Sequence, residues 1–202
     1  MQELFNEMMK KDVKPFLSSH GFTKKNLNFY KTKEDLVYMF NFQKSTGSAL
    51  HHVMFYINCG IYSTELAQLQ SKEIKTAPKE SECHYRSRIE EISTAAPDRF
   101  SITLDTNMGQ FKKELLQFLG EVIDFFETMT SARSIADQYI SKSSLHLSEE
   151  IFHLLLQSND ILAAKHYSRG LQVKYGSENR WIIFDKKYED IFGKYGVEFE
   201  KL

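Results

Sequence analysis

The sequence is short of cysteine, proline and tryptophan, with two, three and one of them in 202 residues. Two cysteines, Cys59 and Cys83, are too few for a disulfide-built secreted scaffold and fit a reducing compartment with free thiols. Three prolines and nine glycines exclude a collagen-like or low-complexity chain. Neither sign of charge is in excess. The 26 basic and 27 acidic residues leave a formal charge of −1, so the chain is no general polyelectrolyte for nucleic acid or membrane surfaces. Apolar runs span only a few residues, far below the roughly 20 needed to cross a bilayer. Charges interrupt every apolar stretch of residues 1–16, which therefore read as neither signal nor transit peptide. The expected location is the cytoplasm.

What is present is apolar and aromatic. Hydrophobic residues make up 42% of the chain, and 16 Phe with 10 Tyr promise an aromatic-rich core. Residues 2–19 predict an amphipathic helix, with Leu4, Phe5, Met8, Met9, Val13, Phe16 and Leu17 at three- and four-residue spacing. Pro15 is expected to bend it or end its regular part, and Gly21 to stop it. Strands are predicted at 27–32, 35–44, 51–62 and 99–104, with Gly60 as a bulge or strand end. The first three, joined by short turns, form an antiparallel meander. Residues 63–84 read as a polar connection with room for a short helix, and 86–92 as one or two helical turns. Residues 107–129 carry a single apolar stripe behind an Asn107 cap. Beyond 131 the pattern is helical, over 132–140, 149–157, 160–173 and 178–192. Ser148, Asn159 and Ser177 are the expected N-caps, and Gly170, Gly176 and Gly193 the expected stops or breaks. The fold class is α+β, an antiparallel sheet of four or more strands packed by helices and followed by a helical C-terminal region. The expected division is 1–130 and 131–202.

The stretches FLSSHGFTKKNLNFY, LVYMFNFQKS, FYINCGIY and ECHYRSRI, in that order, resemble domain-of-unknown-function family 4304. The residues that carry the resemblance are Gly21, Phe22, Lys24, Lys25, Phe29, Phe42, Gln43, Lys44, Asn58, Gly60, Cys83, Arg86 and Arg88. It covers roughly residues 1–130. Phe100 stands where the family pattern has tryptophan. The resemblance implies a bacterial α+β protein of a family without an assigned activity, and it transfers no catalytic residue.

Chemical motifs are sparse. His51, His52, Cys59, Cys83 and His84 are ligand-type residues, but none has the two-to-five-residue pair spacing of zinc sites. On an extended strand His51 and Cys59 are roughly 27 Å apart at about 3.4 Å per residue. Only a site from Cys83, His84 and one distant residue stays open, and no metal or cofactor is expected. There is no G-x-S-x-G, phosphate loop or H-E-x-x-H. Lys24, Lys25, Lys31 and Lys33 interleave with Phe22, Phe29 and Tyr30, a pattern that stacks bases when the rings face out. The neutral charge balance argues for rings that face the core, and against strong nucleic-acid binding.

Strand alternation gives the most informative signal. Leu36, Tyr38, Phe40 and Phe42, with Val53, Phe55, Ile57 and Cys59, fall on one face, as do Phe100, Ile102 and Leu104. Asn41, Gln43, Tyr56, Asn58 and Arg99 fall on the other. Amides and a phenol supply donors and acceptors but nothing that titrates near neutrality, which suits recognition over acid–base catalysis. The expected function is a non-enzymatic binding module for an unidentified protein or a small polar ligand. The alternative is a small hydrolase or transferase working from the same face.

Overall fold

In the computed structural model, which describes residues 1–49 and 51–200, the apolar periodicity of residues 2–19 becomes one continuous helical run. It comprises α1 (Gln2–Met8), a π-helical turn (Met9–Val13) and α2 (Lys14–Ser19). Pro15 lies in the first turn of α2. A proline has no N–H to donate, and its ring crowds the carbonyl four residues back. The wider π turn ahead of it relieves that conflict without ending the helix. Phe5, Met8, Val13 and Leu17 are fully buried. Gly21 stops the run at φ +85°. Its N–H donates to Ser18 O, and Phe22 N–H donates to Leu17 O, both at 3.0 Å.

Six strands follow: β1 (Thr23–Lys25), β2 (Asn28–Lys33), β3 (Leu36–Lys44), β4 (Val53–Ser63), β5 (Tyr85–Arg88) and β6 (Phe100–Ile102). All pairings are antiparallel, in the order β1-β2-β3-β4-β5, with β6 also on β4. The α+β architecture read from the sequence is the observed one, with β1 and β5 as additions. Three polar residues with no apolar alternation conceal β1. Residues 86–92, read as helical turns, instead divide into the end of β5 and α4 (Ile89–Ile92). Two four-residue elements back to back are too short for either period to show.

Gly60 is neither a bulge nor a strand end. It pairs with Met39 on one side and Arg86 on the other in an unbroken register. The reason for glycine is close approach. A Cβ there would lie 2.7 Å from Cys83 Sγ and 3.1 Å from Met39 Cγ. Both cysteines are buried and free.

The chain forms two compact units, Met1–Ser63 with Lys75–Thr130, and Thr64–Ile74 with the residues from Ser131 onward. In the first, the apolar sheet face packs on the N-terminal helices and on α5 (Met108–Thr128). Asn107 caps α5, its Oδ1 accepting from the N–H groups of Gly109 and Gln110. Phe55 meets Phe5 and Phe100 at ring-centroid distances of 5.1 Å each, and Phe126 meets Tyr38 and Phe40 at 5.3 Å each. Tyr38 OH donates to Met129 O at 2.7 Å. Glu127 pairs with Lys31 and Lys33 on β2, and the hydrogen bonds from those lysines hold its carboxyl down at about 2. Phe22 and Phe29 are buried in this core, so they offer no exposed face for a base.

The second unit is helical: α3 (Thr64–Leu69), α6 (Ala132–Ile140), α7 (Ser148–Gln157), α8 (Ile161–Tyr175) and α9 (Trp181–Lys194). Phe152 centres it, with Tyr188, Tyr167 and Phe192 at 4.7, 5.1 and 5.3 Å. The caps shift from those expected. Leu147, Asp160 and Arg180 hold the N-cap positions, and Ser148 Oγ instead accepts from Tyr188 OH. Gly176 ends α8, whereas Gly170 and Gly193 sit inside helices. No helix among the described residues is long and apolar enough to cross a membrane.

Candidate ligand-binding cleft on the sheet

The second sheet face is not uniformly polar. Val37, Met39 and Tyr62 on it are buried, and Cys83 lies over Gly60. Burial pushes the Cys83 thiol up to about 12, so it is an inert packing group. The polar character concentrates in one cross-strand row. Register aligns Asn28, Asn41, Asn58 and Arg88 on four consecutive strands. Gln43 and Tyr56 form the adjacent row.

The four amides form one donor-to-acceptor network that starts at Asn58. Asn58 Nδ2 donates to Asn41 Oδ1 at 2.8 Å and to Gln43 Oε1 at 3.0 Å. Asn41 Nδ2 then donates to Asn28 Oδ1 at 2.6 Å. Asn58 is buried and Asn41 half-buried, so these bonds replace lost hydration, whereas Gln43 is exposed. Removing the Asn58 amide strands the two carbonyls it serves. Asn58→Ala is therefore expected to lose about 1–3 kcal/mol in denaturant unfolding, with Gln43→Ala close to neutral. A loss under about 0.5 kcal/mol for Asn58→Ala would contradict the wiring.

Beside this network lies a cleft of about 370 Å³ lined by Gln43, Asn58, Glu80, Arg86, Ser87, Arg88 and Glu91. That size falls within the roughly 300–1,000 Å³ of small-ligand sites. Arg86 is held by Glu80 through two bonds, Nε to Oε1 at 2.7 Å and Nη2 to Oε2 at 3.1 Å. Ser87 Oγ donates to Glu91 Oε2 at 2.7 Å. Arg88 instead lies over the Tyr56 ring, its guanidinium carbon 4.3 Å from the centroid. Among the described residues no carboxylate pairs with it.

Of the residues expected on this face, Asn41, Gln43 and Asn58 are joined by hydrogen bonds, and Tyr56 carries Arg88. Arg99 is not brought in. It is exposed in a bend before β6 and does not line the cleft. Arg88 was missed as a site residue because its segment read as helix. The alternation Arg86, Arg88 across an intervening serine was the signal available.

A serine, a histidine and an aspartate do meet elsewhere in the first unit. Ser63 Oγ donates to Asp35 Oδ2 at 3.1 Å, and Ser63 N–H donates to His84 Nδ1 at 3.0 Å. A nucleophilic serine needs its hydroxyl on the histidine. Here the histidine nitrogen is occupied by the backbone, and Ser63 and His84 are buried. The arrangement is a structural clamp between strand ends. Among the described residues no three His, Cys, Asp or Glu side chains gather as a metal site.

The family described as a domain of unknown function, DUF4304, matches residues 13–134. That range contains α2, β1 to β6 and every residue lining the cleft. No curated protein and no solved structure matches the chain.

Proposed function

The chain belongs to the DUF4304 family, and on that premise we propose that it is a bacterial, cytoplasmic, non-enzymatic binding module whose ligand sits in the sheet cleft. The observation that carries this reading is the amide network. Buried and half-buried asparagines fix the direction of an exposed glutamine at the cleft mouth. Preorganised polar groups of this kind give orientation and specificity to a bound polar ligand. Among the described residues the cleft wall has neither histidine nor cysteine, which favours binding over the hydrolase or transferase alternative.

The test is a thermal-shift screen against polar metabolites and capped peptides, run on the native protein and on Gln43→Trp. Gln43 is exposed, so the bulky ring is tolerated and fills the cleft mouth. Compounds that raise the native midpoint are expected to leave Gln43→Trp unmoved, because stabilisation follows occupancy. Hits that stabilise both proteins equally would place the ligand elsewhere.

A further inference from the structure

The wiring of the amides determines what the cleft shows to a ligand. Both protons of Asn58 Nδ2 are used, one on Asn41 and one on Gln43. Gln43 accepts through Oε1, so its Nε2 is the end left for a ligand, and no described residue accepts from it. Arg88 holds its guanidinium carbon 4.3 Å from the centroid of the Tyr56 ring. No described residue accepts from that guanidinium either. Two donor groups, one of them cationic, thus border the cleft without partners. A planar guanidinium edge matches a carboxylate with two parallel hydrogen bonds.

The remaining charges narrow the anion. Arg86 and Glu80 cancel in their two-bond pair. Glu91, held by Ser87, keeps a negative charge on the same wall. A dianion would place its second charge against Glu91, where like charges repel. The two arginines and two glutamates of the wall already balance, so a single carboxylate adds one net negative charge to the cleft and a dianion adds two. Resting on the recognition reading above, we infer that the ligand presents one carboxylate to Arg88, with the Gln43 amide as a second donor. That carboxylate belongs to a small organic acid or to an acidic side chain of a peptide.

The test is a titration of the full chain followed by the side-chain signals of Arg88 Nε–H and Gln43 Nε2–H2 in 15N–1H spectra. Ionic strength is held constant with chloride to remove general screening. The probes are acetate, its neutral isostere acetamide, inorganic phosphate, and the capped peptide N-acetyl-Gly-Asp-Gly-amide. Acetate is expected to shift both signals saturably with a roughly millimolar dissociation constant, as a ligand this small allows. Acetamide and phosphate are expected to bind at least tenfold more weakly, and Arg88→Gln to lose the acetate response. The peptide binding tighter than acetate assigns the carboxylate to a protein partner, and the reverse assigns it to a free acid. Equal shifts from acetamide and acetate would overturn the carboxylate while leaving the cleft as the binding surface. No saturable shift at either residue from any acid probe would overturn the inference outright. The metabolite screen then decides separately whether the cleft reading stands.

Discussion

Phe55→Ala is expected to lose about 3–5 kcal/mol, the largest single-residue effect in the sheet unit. Phe55 is fully buried and central to an aromatic cluster. Phe5, Phe42, Phe100 and Phe111 surround it, with Phe100 stacked at an interplanar angle of 13°. Truncation removes the ring and leaves a cavity bounded by two helices and two neighbouring strands, which cannot all close at once. Against a typical domain stability of about 5–15 kcal/mol, that is a large share of the margin. The choice of probe matters. The one tryptophan, Trp181, belongs to the helical unit, so its fluorescence is no direct probe of the sheet unit. Urea unfolding followed by sheet amide signals is the appropriate measurement. A loss below about 2 kcal/mol would show that the site collapses around the cavity more easily than this packing implies.

Gly60→Ala is expected to lose about 2–3 kcal/mol by the opposite mechanism, overpacking. The added methyl would sit 2.7 Å from Cys83 Sγ, 3.1 Å from Cys83 Cβ and 3.1 Å from Met39 Cγ. None can retreat far, because Cys83 and Met39 are themselves buried. The cause is separable by a double-mutant cycle. Cys83→Ala removes the nearest atom, so the Gly60→Ala, Cys83→Ala pair is expected to be at least about 1 kcal/mol more stable than the two single losses sum to. Additive losses would mean that the glycine is required for backbone reasons and not for the contact with Cys83.

These two residues show how far the sequence can be read. Phe55 declared itself through the period-two alternation of residues 53–57, where buried and half-buried positions take turns along β4. Gly60 could not. A glycine inside a strand signals a bulge, an end or a close approach alike, and only the chain crossing it decides. That chain, around Cys83, lies more than 20 positions downstream.

The candidate site divides the same way. The phase of β3 and β4 placed Asn41, Gln43, Tyr56 and Asn58 on one face, where they are found. The register that makes Asn58 the donor to both neighbours is a long-range fact, invisible to local pattern. Arg99 shares the phase of the polar face, but β6 begins after it and leaves it in a bend. Arg88 was hidden because Arg, Glu and Ile suit a helix, and α4 does begin at the next residue. Pro15 is the converse case, a local conflict settled by one π turn and not by a helix end.

The central claim is that ligand recognition occurs at the cleft bordered by Gln43, Asn58 and Arg88. It is tested most directly by mapping backbone and side-chain amide shifts over the whole chain during titration with the strongest stabiliser from the metabolite screen. The largest shifts are expected at Gln43, Asn58, Ser87 and Arg88, fading along β3 and β4, with the helices from Ser131 onward unmoved. Shifts that centre on those helices, or that leave the Asn58 and Gln43 side-chain amides in place at saturation, would contradict it.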